Sequence, residues 1–472
     1  MAKIWRWTII IFLLITVFSV FWRVPVSFDT GWHLASGRYY LENKTIPQTD
    51  IFSQTMPDFN WVNHEWLTDV VLYSLYSRFG LVSLTIFYAV MLLLTFYLIT
   101  GLVKTNWIYR LLTTALASLA VFSVLGPKPQ MITLFGLALI LVIYNRYQTN
   151  PKIIFLIPFI LLLWANLHGG FIIGLGLLFI LIVFETVQKR KIKLLTALLA
   201  MSVLITLINP YGFQIYGEIF KTAADTLGNS LAKATISEWQ PVSFNGLRAY
   251  YFWPYLILTL ILTVVFRKKL SSLYIILSVI FLPLALSSWR HTPFFVLFSV
   301  PIYLESFSLL SEKSKIFRQL TNSWPLIIIL SPFVYLALLN IFAISFSLNW
   351  PVIAAQKTLP QGAVRFIQAN SDQFQGKMYN KYDYGSYLTF FLPEHKVFID
   401  GRMLHWRQNN RSIYQDYFDI IHNFNFDLLD RYNIDWALLA RNSVAAQKLF
   451  AEEKWQLKYL DSDAIILARP QK

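Results

Sequence analysis

Acidic and imidazole side chains are concentrated in residues 23–80, between apolar runs at 4–22 and 81–103. Asp29 follows the first run directly, where burial would raise the pKa of a carboxyl group and a nearby cation would lower it. Either shift suits a general base or a metal ligand, although Asp is also a common helix N-cap. His33 lies one helical turn later, so the two side chains can share one helix face and form a hydrogen bond. We therefore take Asp29 and His33 as candidate catalytic residues, with a local helix-stabilising contact as the alternative.

The same segment holds a second carboxylate of interest, Asp50, after a short helix predicted over 29–42. Asp50 could join Asp29 in binding a divalent metal, Mg²⁺ or Mn²⁺, because these ions prefer carboxylate oxygens. The alternative is a turn or cap residue. No other cofactor is expected, and the absence of cysteine excludes disulfides and thiolate ligands. Residues 65–79 form an amphipathic stretch suited to the membrane interface.

Basic residues at the outer ends of apolar runs form a second set of candidates. Lys128 lies in a Pro-Lys-Pro turn, and Arg290 stands beside His291. Long basic side chains at helix ends can simply reach out of the membrane, which is the alternative. Since short outer loops usually carry few cations, a lipid-linked phosphate at the outer leaflet would explain both. We take Lys128, Arg290, His291 and His168 as candidate phosphate- and donor-binding residues, although His168, which stands beside two glycines, can equally donate a hydrogen bond between helices.

Membrane-spanning helices must position these side chains. The 472 residues are 56% hydrophobic and 14% charged, against about 25% charged in an ordinary soluble protein. Repeated apolar runs match the ~20 residues needed to cross a bilayer. The predicted fold class is a polytopic α-helical membrane protein with about eleven transmembrane helices and a C-terminal extracytoplasmic α/β domain. The predicted spans are 4–22, 81–103, 108–125, 131–148, 152–167, 170–187, 193–209, 251–266, 270–287, 293–310 and 324–346.

The distribution of charge indicates an orientation. Every loop that lies inside when the N-terminus is cytoplasmic is basic, as the positive-inside rule requires. Residues 351–472 hold 15 Lys and Arg against 13 Asp and Glu, so most of the net charge of +15 belongs to the membrane part. Topology and anionic lipid explain that excess better than a nucleic acid does. We expect a multi-pass protein of the inner or plasma membrane with a cytoplasmic N-terminus, an extracytoplasmic C-terminal domain and no nucleic-acid partner.

The pattern predicts two domains. Residues 1–350 form a transmembrane domain with a first outer loop at 23–80, and residues 351–472 form a soluble α/β domain. The elements predicted in the soluble domain are strands at 376–379, 396–400 and 436–440, helices at 384–392, 412–423 and 426–432, and a hairpin of 456–461 with 464–469.

Two motifs in the soluble domain could contact an acceptor. Tyr382-Asp383-Tyr384-Gly385 begins a helix, so Asp383 could cap that helix and Tyr384 could form part of an aromatic shelf. The apolar run 396–400 ends in Asp400-Gly401-Arg402, and strand ends are common places for sites in α/β domains. A structural ion pair is the alternative. Asp383, Tyr384, Asp400 and Arg402 are the candidate acceptor-binding residues.

Two of these motifs resemble those of the GT-C superfamily of integral-membrane glycosyltransferases. Phe28-Asp29-Thr30-Gly31-Trp32-His33 is similar to the first-loop motif of oligosaccharyltransferase catalytic subunits, and Tyr382-Asp383-Tyr384-Gly385 resembles their Trp-Trp-Asp-Tyr-Gly motif. The layout also resembles bacterial lipid-linked-sugar transferases. The resemblance implies a polyprenyl-linked sugar donor. In that family a second outer loop carries paired acids that help to hold a metal, whereas the comparable turn here, 126–130, has Lys128 and no carboxylate.

Together these features predict a glycosyltransferase that moves a sugar from a polyprenyl phosphate to an extracytoplasmic glycan, lipid or protein acceptor. Asp29 would be the general base, His33 would orient the acceptor or assist, and Lys128 and Arg290 would stabilise the leaving phosphate. A single displacement would invert the anomeric centre. Two alternatives stay open: a transporter or flippase of lipid-linked saccharides, which would need polar groups at mid-membrane, and a non-catalytic membrane scaffold or sensor.

Overall fold

The chain divides into two compact units in a computed structural model that describes residues 2–320, 323–408 and 411–470. The helical unit comprises Met1–Pro25, Val82–Asn209 and Ala232–Phe346. The mixed unit comprises Val26–Leu81, Pro210–Leu231 and Ser347–Lys472. The predicted domain boundary after residue 350 lies close to the last entry of the chain into the mixed unit. That unit also takes up two earlier segments that the sequence pattern assigns to outer loops.

The helical unit is built from long apolar helices, and each predicted span has a helix. In the described part of the chain, six helices are long and apolar enough to cross a membrane: Ile4–Phe21, Trp66–Thr100, Gln130–Tyr147, Leu247–Phe266, Trp289–Lys313 and Trp324–Phe346. The remaining spans correspond to the shorter helices Trp107–Ala120, Pro151–Leu167, Phe171–Val187, Lys193–Ile205 and Ser272–Ser287. The fold class predicted from the sequence is confirmed.

Two helices are interrupted, and one of the interruptions lies between the amphipathic stretch 65–79 and the predicted span 81–103. Gly80 divides Trp66–Thr100 because its φ of 69° and ψ of −165° are not helical, a conformation that glycine adopts without steric cost. The residues before Gly80 belong to the mixed unit, whereas their amphipathic pattern predicts a segment at the membrane interface. The short fifth span begins as a 3₁₀ helix, Pro151–Phe155, before the α-helix Leu156–Leu167.

Burial in the helical unit indicates which helices are central. Thr292–Lys313 is buried along most of its length and packs against Ser272–Ser287. Trp324–Phe346 packs against Ala2–Phe21 and exposes apolar side chains such as Phe342. A helix that is apolar on every side needs an apolar solvent on its outer face, and a bilayer provides one.

The mixed unit contains a four-stranded sheet covered by helices. The strand order is Lys377–Asn380, Ile434–Ala440, Ala464–Ala468 and Gln456–Leu460; the first pair is parallel and the other pairs are antiparallel. The α-helices of this unit include Thr30–Asn43, Gln214–Ala224, Trp350–Gln356, Gln361–Ala369, Tyr382–Phe391, Ile413–His422, Asp427–Arg431 and Val444–Ala451. These elements confirm the predicted hairpin, the strands near 376–379 and 436–440, and the three predicted helices.

The prediction of a strand at 396–400 is wrong. Val397 forms an isolated bridge to Ser53, and the segment is otherwise irregular. Part of its main chain bonds to a side chain: Asn380 accepts from the N–H of Phe398 over 2.7 Å and donates to the carbonyl of Ile399 over 2.9 Å. The apolar run is therefore buried, as its composition indicates, without a partner strand.

Candidate active site and cation cluster

Asp29 stands at the N-cap position of the helix Thr30–Asn43 without capping it. Its backbone has φ −97° and ψ −14°, and its side chain makes no capping hydrogen bond to the helix. Trp32 instead directs its indole Nε1 toward Asp29 Oδ1 over 3.4 Å. The carboxylate is partly exposed. It is thus placed by its helix and available for a role other than capping.

The Tyr382 motif packs against the Asp29 motif through small residues. A Cβ on Gly31 would lie 2.0 Å from the carbonyl oxygen of Ser386, so this close approach of two helices requires glycine. The N–H of Trp32 donates to Ser386 Oγ over 2.9 Å. Burial raises the pKa of Tyr382, and the nearby Asp29 carboxylate raises it further. The Tyr382 phenol therefore stays neutral beside Asp29 and can donate a hydrogen bond.

The third motif, Asp400-Gly401-Arg402, meets the same carboxylate. A Cβ on Gly401 would lie 2.1 Å from Asp29 Oδ1, so the carboxylate occupies the space that a side chain would take. Asp400 caps the short 3₁₀ helix Gly401–His405 by accepting from the N–H of Arg402 over 3.0 Å. Three motifs thus meet at Asp29 in the mixed unit, although Asp29 and Gly401 are 372 residues apart in sequence.

Arg402 is the buried centre of an ion-pair cluster. Its Nη2 lies 2.7 Å from Asp400 Oδ2, and its Nη1 lies 2.8 Å from Asp50 Oδ1. The guanidinium also lies 4.5 Å from the ring of Trp61 and 5.2 Å from that of Trp406. Burial alone would lower the pKa of Arg402, but the two carboxylates raise it overall. A guanidinium held this way is permanently charged.

This cluster corrects three sequence assignments. Asp400 and Arg402 have buried side chains that pair with each other. They therefore fix the backbone at Gly401 and do not contact an acceptor directly. Asp50 accepts from the N–H groups of Phe52 and Ser53 and already has a cation in place. It does not fit a metal ligand, and the described residues group no three His, Asp or Glu side chains that could hold an ion.

Asp383 and Tyr384 differ sharply in exposure. Asp383 lies in the first turn of its helix, pairs with Lys381 over 2.9 Å and keeps over a third of its side chain exposed. Tyr384 is buried in the core, and its hydroxyl donates to the carbonyl of Asp463 over 3.0 Å. Tyr384 therefore cannot serve as the predicted aromatic shelf, whereas Asp383 is accessible.

His33 faces a network of polar residues that the sequence did not bring together. Its Nδ1 lies 2.6 Å from Asp69 Oδ1, and Asp69 Oδ2 accepts from Asn63 over 2.7 Å. Its Nε2 lies 3.8 Å from Glu65. The ring is buried and makes its polar contacts with Asp69 and Glu65, not with the predicted partner Asp29. Burial would lower the pKa of His33, but the adjacent Asp69 raises it overall, with smaller contributions from Glu65 and Asp29.

In the helical unit, Lys128 and Arg290 share one counter-ion that sequence reasoning missed. Glu238 forms an ion pair with Lys128, and its Oε1 lies 2.7 Å from Arg290 Nη1. Burial would raise the pKa of Glu238, but Arg290 and Lys128 lower it overall. The amide of Gln130 donates to the carbonyl of Arg290 over 2.9 Å. Glu238 is an acidic residue in a loop otherwise rich in aromatic and polar residues. This contrast is the feature of the sequence from which Glu238 could have been identified.

The two candidate histidines of the helical unit bond to hydroxyl groups. His291 Nδ1 lies 2.9 Å from Ser288 Oγ, and its ring packs edge-on to Trp239. His168 Nδ1 lies 2.7 Å from Thr133 Oγ1 and accepts from the N–H of Gly170 over 3.0 Å. Both rings are fixed by these contacts at the ends of helices.

Comparisons with known proteins find similarity in structure alone. No protein-family model matches the chain, and no curated protein matches its sequence. The oligosaccharyltransferase of Archaeoglobus fulgidus in its apo form is similar with a TM-score of 0.60 and 11% identity, over 96% of this chain and 71% of that one. ArnT from Cupriavidus metallidurans bound to undecaprenyl phosphate is similar with a TM-score of 0.54 and 12% identity, over 98% of each chain.

Apo ArnT from the same organism matches with a TM-score of 0.50 and 12% identity over 97% of each chain. All of these structures are GT-C glycosyltransferases, and the matches extend over nearly the whole chain. Their fold agrees with the apolar helices and the small C-terminal sheet described above. The chain is thus a multi-pass membrane protein with a GT-C-like fold.

Proposed function

We propose that this protein is a glycosyltransferase that transfers a sugar from a polyprenyl-phosphate-linked donor to an acceptor on the outer face of the inner or plasma membrane. The observation that carries the proposal is the meeting of the Asp29, Tyr382 and Gly401 motifs around one carboxylate in a chain of GT-C-like fold. ArnT, a structural neighbour, is known bound to undecaprenyl phosphate. This supports a lipid phosphate as part of the donor.

Asp29 acts as the general base in this proposal. Its carboxylate is partly exposed, accepts from the indole of Trp32 and lies against Gly401. It accepts the proton of the acceptor hydroxyl or amide while the acceptor oxygen or nitrogen attacks the anomeric carbon. The bond between that carbon and the phosphate oxygen breaks in the same step, so the configuration of the sugar is inverted. The neutral Tyr382 phenol is a hydrogen-bond donor for the acceptor.

Lys128 and Arg290 are proposed to bind the donor phosphate. Charge on the leaving oxygen develops during the reaction, and fixed cations that meet this charge lower the barrier. An Arg guanidinium can bind two phosphate oxygens at once. His168 and His291 are further donor-side candidates. No step is assigned to a metal, since Asp50 is already paired with Arg402.

His33 is proposed to act through its contacts and not by touching the acceptor. It is buried against Asp69 one turn after Asp29, so it fixes the helix that presents the carboxylate.

Asp383 remains the candidate acceptor-binding residue of the predicted set, because it is accessible. The N-terminus is proposed to be cytoplasmic and the last segment of the mixed unit extracytoplasmic.

The test uses the full chain reconstituted in membranes and a set of polyprenyl phosphates that carry different radiolabelled sugars. An extract of cell-envelope glycans, lipids and proteins supplies the acceptor, and release of polyprenyl phosphate is measured. We expect Asp29→Asn to lower the rate by about 10²–10⁴-fold, the usual contribution of a general base, while lipid binding is retained. Asp58→Asn, an exposed carboxylate in the same segment, is the matched control and should keep full activity.

Other outcomes identify the alternatives. Transbilayer movement of the labelled lipid without transfer would indicate a flippase. An Asp29→Asn protein with unchanged transfer would exclude Asp29 as the base. If no sugar is released from any donor, and the lipid neither binds nor moves, a scaffold or sensor is the better description.

A further inference from the structure

Glu238 holds one negative charge between two positive charges, of which Lys128 lies in a turn and Arg290 in the 3₁₀ helix Trp289–His291. One carboxylate oxygen pairs with Lys128, and the other lies 2.7 Å from Arg290 Nη1. The N–H of Arg290 also donates to the main-chain carbonyl of Glu238 over 2.8 Å. Lys128 and Arg290 each precede the N-terminus of a long helix, Gln130–Tyr147 and Thr292–Lys313. The dipoles of these helices add to the positive potential.

The cluster has hydrogen-bond capacity that Glu238 does not use. An ammonium has three N–H donors and a guanidinium has five, and in the described residues Glu238 is the acid that pairs with both. The side chains of Lys128 and Arg290 keep 25% and 29% of their surface exposed. Trp239 lies under the guanidinium at 4.9 Å and fixes its plane. The three charged groups in direct contact sum to one positive charge.

We propose that Glu238 adjusts this cluster to accept a phosphate with a single negative charge, so that the donor is a polyprenyl monophosphate sugar and not a diphosphate sugar. This inference rests on the proposed function, because it names the donor class of that transferase. A phosphodiester between polyprenol and sugar carries one charge and makes the cluster neutral. A diphosphate carries two and leaves one negative charge without a partner, so the hydration that this charge loses on binding is not compensated by a cation.

Nearby cations do not change this count of direct contacts. Arg248 donates to the carbonyl oxygen of Ser237 over 2.9 Å and not to Glu238. Lys233 is exposed on the helix Thr226–Thr235, where water and salt screen its charge. Removal of the Lys233 charge is therefore a matched control for removal of the Glu238 charge.

The test compares two lipids that have the same polyprenyl chain and the same hexose, joined through a monophosphate or a diphosphate. Their binding to the full chain in nanodiscs is measured at fixed ionic strength. We expect the wild type to bind the monophosphate lipid about tenfold more tightly. Glu238→Gln adds one net positive charge and should abolish or reverse that ratio, whereas Glu238→Asp and Lys233→Gln should keep it.

Several results would overturn the proposal. These are equal binding of the two lipids by the wild type, a preference for the diphosphate, binding of neither lipid, and an unchanged ratio in Glu238→Gln. An equal shift of the ratio in Lys233→Gln and Glu238→Gln would also overturn it, because overall surface charge would then decide the ratio. The comparison of the two lipids on the wild type needs no variant, so a failure of Glu238→Gln to fold does not remove the test. Binding of neither lipid would also count against the proposed transferase. The other results overturn this inference alone, because a chain that still binds a lipid donor and loses transfer in Asp29→Asn keeps the transferase function.

Discussion

The Asp29 carboxylate lies in the space that a side chain at position 401 would fill. An ideal Cβ on Gly401 would be 2.1 Å from Asp29 Oδ1, far inside van der Waals contact. Gly401 follows Asp400, which is locked to the buried Arg402. The backbone behind the proposed base is thus fixed by an ion pair, and the position of the base depends on a residue that has no side chain.

Gly401→Ala should lower transfer while the protein still folds. The added methyl group displaces the Asp29 carboxylate, which is a side chain that can rotate away. A displacement of ~1 Å at a reacting group can lower a rate about 10²-fold, so we expect a loss of kcat with little change in thermal stability. Gly217→Ala is the control, since no heavy atom lies within 4 Å of a Cβ there. Equal activity of both variants would refute the positioning of Asp29 by Gly401.

Arg402→Leu should destabilise the mixed unit strongly. It leaves the buried carboxylates of Asp50 and Asp400 without their cation, and breaking a buried pair in this way costs about 3–5 kcal/mol. Denaturant unfolding in detergent, followed by tryptophan fluorescence, measures the free energy of unfolding, and Trp61 and Trp406 lie close enough to report it.

Two further variants test the physical reason for that loss. Arg402→Leu combined with Asp50→Asn and Asp400→Asn should regain part of the stability, because no uncompensated charge then remains. Lys448→Gln removes a cation from an exposed helical pair with Glu452, which should change the free energy of unfolding by less than ~0.5 kcal/mol. A similar loss in Lys448→Gln and Arg402→Leu would contradict the assignment of Arg402 as a buried support.

The helices of this protein could be predicted from its sequence because their cause is local. A run such as 324–346 is apolar throughout, and length with composition already indicates a helix in lipid. The break at Gly80 was also predicted, since the amphipathic pattern before it differs from the apolar pattern after it. The strand at 396–400 was predicted wrongly because a buried irregular segment and a paired strand can have the same run of apolar residues. The side chain of Asn380 makes hydrogen bonds to this segment that a partner strand would otherwise make. A single side chain of this kind produces no periodic pattern in the sequence.

The sequence indicates which residues belong to the candidate site, but it does not indicate which of them pair with each other. Asp29 and Arg290 stand out as ionisable residues next to apolar runs, so their types and positions single them out. The counter-ions Glu238 and Asp69 reach their partners across 52 and 36 residues. No periodicity of a single helix relates such distant positions. Asp50 looked like a metal ligand for the same reason: its actual cation, Arg402, is 352 residues away.

Asp225→Asn should loosen the segment 210–231 from the rest of the mixed unit. Asp225 forms an ion pair with Arg407 and lies 3.1 Å from His405 Nδ1. Burial would raise the pKa of Asp225, but these partners and the N–H of Gly228 lower it overall. The stabilising contribution is thus present above the ordinary carboxyl pKa and is lost as the pH falls. Loss of these contacts in Asp225→Asn should lower the free energy of unfolding by about 1–3 kcal/mol.

Limited proteolysis measures this change. Cleavage within the helix Gln214–Ala224 should become faster in Asp225→Asn than in the wild type, and the wild type should approach the variant at acidic pH. Asp372→Asn removes an exposed carboxylate of the same unit and should leave the cleavage rate unchanged. Protection of 214–224 that is identical in Asp225→Asn and wild type would show that the ion pair does not anchor this segment.

His33 should make the stability of the mixed unit fall as the pH rises. Its pKa is raised in the folded protein, chiefly because Asp69 outweighs the effect of burial. The folded state therefore binds a proton more tightly than the unfolded state, and the stabilisation is fully present below the ordinary imidazole pKa of about 6.5. It is lost as the pH rises through the raised value.

Thermal unfolding between pH 5 and about pH 9 measures this dependence. His33→Gln keeps a hydrogen-bonding side chain but cannot titrate, so its unfolding temperature should vary less with pH than that of the wild type. His422→Gln is the control, because His422 is exposed at the end of the helix Ile413–His422. A wild-type unfolding temperature that rises through neutral pH, or a His33→Gln profile parallel to it, would show that the imidazole does not hold a proton against Asp69. In that case the Asp69 carboxyl group, and not His33, would carry the shared proton.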